Sequence, residues 1–197
     1  MRRSPARSNP GRPAPARVGS CFSSRRYELW FTRGAAHNAP VVNGVEQKDG
    51  RQFEATGVAF ADKGTSQRLS MNIEKAYPPE AGLKSLRREI DVRRAPSMTI
   101  DVRDTAVMSA GGGGAMRYTF YTVAPARQAG PGRLSIATAP RSLQLEFQPA
   151  TATVTVEPVD LQDPIMKSNW GPRLYRVVIE AAGSSAVSFR FAAEPKG

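Results

Sequence analysis

The most constraining feature of this chain is its period. Short runs alternate apolar and polar residues, as in Leu69-Ser70-Met71-Asn72-Ile73 and Ser97-Met98-Thr99-Ile100-Asp101-Val102. Successive side chains of a β-strand point to opposite faces, so this spacing specifies strands with one buried face. Turn signals separate the runs. Asn43-Gly44 suits a type I′ turn, whose two central residues both need φ > 0, and Lys48-Asp49-Gly50 provides a second turn. Ala95-Pro96, Gly130-Pro131-Gly132, Pro149, Pro158 and Gly183 continue the series.

Residues 83–92 read Leu-Lys-Ser-Leu-Arg-Arg-Glu-Ile-Asp-Val, a stretch that a helix also tolerates. Ile90 and Val92, set beside Met98, Ile100 and Val102, favour two paired strands with a turn at Ala95-Pro96. Further strands are expected at 27–32, 58–61, 116–123, 134–137, 143–147, 152–156, 174–180 and 187–191. About a dozen strands without a long helix predict an all-β fold, a large antiparallel β-sandwich. Gly111 to Gly114 reads as a flexible loop. It precedes no helix and lacks a following Lys-Ser/Thr, which argues against phosphate cradling.

The first 24 residues break the pattern. They mix Arg, Pro, Ser and Gly, and a segment with so little apolar surface is expected to be a disordered tail. No apolar stretch of a secretory signal follows the basic start, and Pro5, Pro10, Pro13 and Pro15 oppose the amphipathic helix of a transit peptide. The expected division is therefore a tail over 1–24 and one sandwich domain over 25–197. Charge follows the same division. Residues 1–26 contain seven arginines and no acid, against a net charge of +11 for the whole chain. The remainder is only mildly basic, so specific nucleic-acid binding is not expected, although the tail retains a sequence-independent electrostatic reading. No apolar run is long enough to span a membrane.

His37 is the only histidine and Cys21 the only cysteine. A histidine pair, a Cys-x-x-Cys zinc site and an internal disulfide are all excluded by count, and no metal or other cofactor is expected. Histidine is the one side chain whose ordinary pKa lets it exchange a proton near neutrality. Proton-transfer chemistry of that kind therefore falls on His37.

Three ordered segments go further. Arg26-Tyr27-Glu28-Leu29-Trp30 is followed by the run from Ala36-His37-Asn38-Ala39-Pro40 to Glu46-Gln47. Downstream come Ala76-Tyr77-Pro78-Pro79-Glu80-Ala81-Gly82, leading into Arg87-Arg88, and Trp170-Gly171-Pro172-Arg173-Leu174-Tyr175-Arg176. Together they resemble heparinase II/III-like polysaccharide lyases, over residues of about 20 to 182. The resemblance implies the C-terminal β-sheet domain of such an enzyme, with a supersandwich-like fold.

In that family an N-terminal α/α toroid packs against the β domain, and acidic polysaccharide binds between the two. Cleavage is β-elimination at a uronic acid. The resemblance assigns His37 a catalytic role, and implies that the family's zinc-binding histidine pair is missing here. It also implies a toroid supplied separately or lost, as in a truncated lyase gene, with the chain alone inactive. The family expectation for location is the periplasm or cell envelope.

Substrate contacts are assigned to Asn38, Arg87 and Arg88, since guanidinium forks match carboxylate and sulfate oxygens. Alternatives stay open. Asn38 either orients the histidine or serves the turn, and the arginines either line a groove or cover a solvent-facing strand. Tyr27, Trp30 and Phe31 either stack on sugars or pack in the core. The whole chain also admits a non-catalytic reading, an acidic-polysaccharide-binding sandwich.

Overall fold

The computed structural model describes residues 29–193, apart from 112, 139 and 140. The expected tail over 1–24, the boundary at 25, Cys21, Tyr27 and Glu28 lie outside the described residues. Among the described residues, twelve strands form two antiparallel sheets. The smaller contains β1 (Val41–Val42), β6 (Gly114–Thr122), β10 (Thr153–Asp160) and β11 (Arg173–Ser184), in the order β1-β6-β11-β10. The larger contains β2 (Thr56–Asp62), β3 (Ser66–Asn72), β4 (Leu83–Arg93), β5 (Thr99–Met108), β7 (Ala126–Gly130), β8 (Arg133–Ala137), β9 (Ser142–Gln148) and β12 (Ala186–Ala193). Its order is β2-β3-β4-β5-β12-β9-β8-β7. The all-β sandwich expected from the alternation is the architecture found.

The core follows directly from the period. Met116, Tyr118 and Phe120 of β6 and Val177, Ile179 and Ala181 of β11 are all buried, while Arg117 and Glu180 are not. They meet Val187 and Phe189 of β12, Leu145 and Phe147 of β9, and Leu134 and Ile136 of β8. Phe189 takes the rings of Tyr118 and Phe120 edge-on at centroid distances of 4.7 and 5.2 Å, a favoured arrangement for aromatic pairs. Residues 83–92 are strand, not helix, and the turn after β4 carries Ala95-Pro96 as expected.

Asn43-Gly44 forms the expected tight turn, with φ of 50° and 80° and Val42 and Val45 exchanging backbone hydrogen bonds of 2.8 and 2.9 Å. The Asn43 side chain adds two ties. Its amide donates to the Ala81 carbonyl, and its oxygen accepts from the Ala115 amide, each at 3.0 Å. The turn is thereby fixed to both the 3-10 turn Pro79–Ala81 and the first residues of β6.

One local expectation is corrected. An extended segment is expected over 27–32, but Trp30–Thr32 is a 3-10 turn. Both the amide and the hydroxyl of Thr32 donate to the Leu29 carbonyl, at 3.1 and 2.9 Å, and close it. Trp170, first residue of the late segment that carries the resemblance, ends a short helix, α1 (Pro164–Trp170), and the strand expected over 174–180 is β11 from Arg173. Asp163 caps that helix by accepting from the Ile165 and Met166 amides, and Pro164 stands where a first-turn proline is tolerated. One strand, β7, has no counterpart among the expected runs.

Candidate functional site

A second 3-10 turn, Gly34–Ala36, delivers the chain to His37, whose amide donates to the Gly34 carbonyl at 3.1 Å. Glu46 anchors this turn from across the cleft wall. Its carboxylate accepts from the Arg33 guanidinium at 2.6 Å and from the Ala35 amide at 3.0 Å. His37 itself is exposed and lines an open cleft of about 670 Å³. Thr32, Arg33, Glu46, Lys48 and Glu80 share that lining. Both signs of charge therefore surround the one imidazole.

Asn38 is exposed on the far side of the histidine, and its backbone is firmly held. Arg88 reaches it from β4, donating from Nη1 to the Asn38 carbonyl at 3.0 Å. The rest of that guanidinium grips Asp104 of β5, from Nε at 2.7 Å and from Nη2 at 2.6 Å. Tyr118 of β6 donates its hydroxyl to the same carboxylate at 2.8 Å. A little further along the chain, Tyr77 donates its hydroxyl to the Pro40 carbonyl.

This network is buried. The Arg88 and Asp104 side chains are 13% and 1% exposed. Burial works against the Arg88 charge, and the hydrogen bonds and field of Asp104 outweigh it and raise the pKa. Burial pushes the Tyr118 hydroxyl pKa well up, and the Asp104 charge adds to the effect. Burial also raises Tyr77, with Arg88 opposing. Both phenols stay protonated and serve as donors.

The four residues singled out by sequence divide accordingly. The fold joins Arg88 to Asn38 by a hydrogen bond, and these two line a cavity separate from the cleft that His37 lines. Arg88 directs one donor from each of its three nitrogens into the protein. Arg87 lies on the opposite face of β4, half exposed and 3.5 Å from Glu89. Trp30 is 41% exposed and meets the Tyr121 ring at a tilt of 43°, centroids 5.2 Å apart, outside the core where packing is one of the two expectations.

Sequence reading missed Asp104, Tyr118 and the clamping role of Tyr77. A signal existed for the first. Asp104 stands in the inward phase between Val102 and Ala106, as Arg88 does between Leu86 and Ile90, and the two residues face each other in the strand register. Two opposite charges at apolar positions on adjacent strands announce a buried pair.

Among the described residues no three His, Cys, Asp or Glu side chains are grouped so as to hold a metal ion. Nor is any helix there long and apolar enough to cross a membrane. No family model matches the sequence, and no curated protein does. Solved structures do match. The heparan sulfate lyase HepC from Pedobacter heparinus superposes with a TM-score of 0.62 at 12% identity, covering 89% of this chain and 27% of that one. A heparinase III gene product gives 0.59 at 11% identity, covering 88% and 26%.

At such identities the likeness is one of fold. The fold is thus a β-sandwich of the kind contained in these two structures. This chain spans about a quarter of the length of each.

Proposed function

We propose that the chain is the C-terminal β-sandwich domain of a heparinase II/III-like polysaccharide lyase, acting on uronic-acid-containing polysaccharide by β-elimination. The observation that carries this reading is the placement of His37. The only histidine of the sequence lines the open cleft of a sandwich whose fold is like that of a heparan sulfate lyase.

The chemistry asks for a base at the uronate C5 proton and an acid at the leaving glycosidic oxygen. The C5–H pair becomes the new C4–C5 double bond as the C4–O bond breaks, and the oxygen departs with a proton. A positioned imidazole is suited to either transfer. The developing charge on the uronate carboxylate calls for cations, and Arg33 and Lys48 lie on the same cleft. Asn38, exposed next to His37 in the chain, is the proposed further contact. An α/α toroid forms the opposite wall and completes the site, in the periplasm or cell envelope.

The full chain mixed with the toroid domain of such a lyase should release unsaturated uronate, followed by its ultraviolet absorbance. In His37→Ala the rate should fall by at least ~10²-fold, the scale of a lost acid–base group. Turnover near that of the unmodified chain would remove His37 from the mechanism. Salt-sensitive glycan binding with no unsaturated product would favour the binding-module alternative instead.

A further inference from the structure

The buried network behind the histidine poses a problem of its own. Desolvating an arginine and an aspartate costs several kcal/mol per ion before their attraction is counted. Apolar side chains of similar volume fill such a space at equal or better stability. Packing alone therefore does not call for Arg88 and Asp104 in the inward phase of β4 and β5. What an apolar pair lacks is a directed donor.

The Arg88 guanidinium is planar and its edges are fixed relative to one another. Asp104 takes one edge through both oxygens, and Tyr118 holds Asp104 from the facing sheet. With that edge locked, Nη1 points at the Asn38 carbonyl, 3.0 Å away. Tyr77 independently holds the Pro40 carbonyl. The two clamped carbonyls flank Ala39, between His37 and the start of β1. His37 is exposed and its amide is tied to the Gly34 carbonyl, so the direction of its ring follows the backbone that carries it.

We infer that Arg88 is a positioning residue: with Asp104 and Tyr118 behind it, it fixes the backbone that aims His37 into the cleft. The inference about position stands on the geometry, and its consequence for turnover rests on the proposed lyase function. It also gives Arg88 work other than the substrate contact suggested by its sequence.

The lone histidine makes the test direct, because its ring protons give one set of nuclear magnetic resonance signals. The probe is the full chain with Arg88→Met and Asp104→Leu combined, which replaces the pair by apolar groups, and separately Arg88→Lys, which keeps the charge but not the fork. Both variants should retain cooperative unfolding. The His37 ring signals should shift or broaden, and the amides of His37 and Ala39 should exchange at least about tenfold faster than in the unmodified chain.

With a lyase toroid supplied, kcat should fall by about 10–10²-fold while KM moves little, as expected when a reacting group is misaimed and substrate binding is left intact. His37 signals and exchange rates unchanged in the folded double variant would overturn the inference. If the double variant does not fold, Arg88→Lys decides by the same two readouts. Should the unmodified chain give no product with any toroid, the lyase reading fails, and the His37 signals still decide the positioning.

Discussion

The two faces of the eight-stranded sheet use the same chemistry to different ends. On the outer face, Arg68 pairs with Asp91 at 2.7 and 3.0 Å, and Arg190 pairs with Asp101 at 2.6 Å. On the inner face, Arg88 of β4 pairs with Asp104 at almost the same distances. The arginines of the outer pairs are 61% and 49% exposed, against 13% for Arg88. Distance does not separate the two classes of pair. Water does. An exposed pair replaces good hydration with a modest attraction, while a buried pair leaves a stranded charge when either partner is removed.

The sharpest way to break this comparison is Asp104→Ala. It strands the Arg88 charge and removes the acceptor of the Tyr118 hydroxyl, so unfolding free energy should drop by about 3–5 kcal/mol. Urea denaturation measures it. A loss below about 1 kcal/mol would put the inner pair in the same class as the outer ones. Tyr118→Phe is the milder form of the same attack, since Arg88 stays paired. A hydrogen bond to a charged group is worth about 1.5–3 kcal/mol, and the loss should fall in that range.

The inner face also has a pH signature. Folding raises the ionisation of Tyr77 and Tyr118 above the ordinary phenol value of 10.0. A group that holds its proton more tightly when folded contributes stability that is whole below its unfolded pKa. That contribution drains as pH climbs from about 10 toward the folded values. Stability should therefore decline steeply on the alkaline side. An ultraviolet titration should show these two phenols ionising only together with unfolding, and their smooth ionisation near pH 10 in the folded protein would contradict the burial.

How much of this is legible in the sequence depends on where the physics is local. The alternation of β4, β5 and β6 sets their faces, and with them the sandwich, because period two is a property of the strand itself. The Asn43-Gly44 turn is legible for the same reason. β7 is not, since Arg127, Gln128 and Ala129 are exposed and its single buried position, Ala126, is too little to make a period. The 3-10 turn at Trp30–Thr32 is hidden because its aromatic residues mimic a strand while a threonine hydroxyl decides the geometry. At the site, the His37 segment is found by resemblance, and Tyr77 enters only as part of that resemblance. Its bond to Pro40 crosses 37 residues, which no local pattern reveals.

The smallest effect is the most telling about Arg87. It is adjacent to Arg88 in sequence and identical in chemistry, yet it faces the outer side with only a 3.5 Å approach to Glu89. Asp91→Asn, which weakens a well-formed outer pair, should cost far less than Asp104→Ala, and less still in high salt. Arg87→Ala should stay within about 0.5 kcal/mol of the unmodified chain, as surface substitutions away from special features do. It should also leave the His37 ring signals where they are, whereas Arg88→Lys moves them. Adjacent arginines on one strand then separate cleanly by face. A loss from Arg87→Ala as large as that from Asp104→Ala would mean that the outer face is covered in solution, and that exposure in the isolated chain does not describe its working environment.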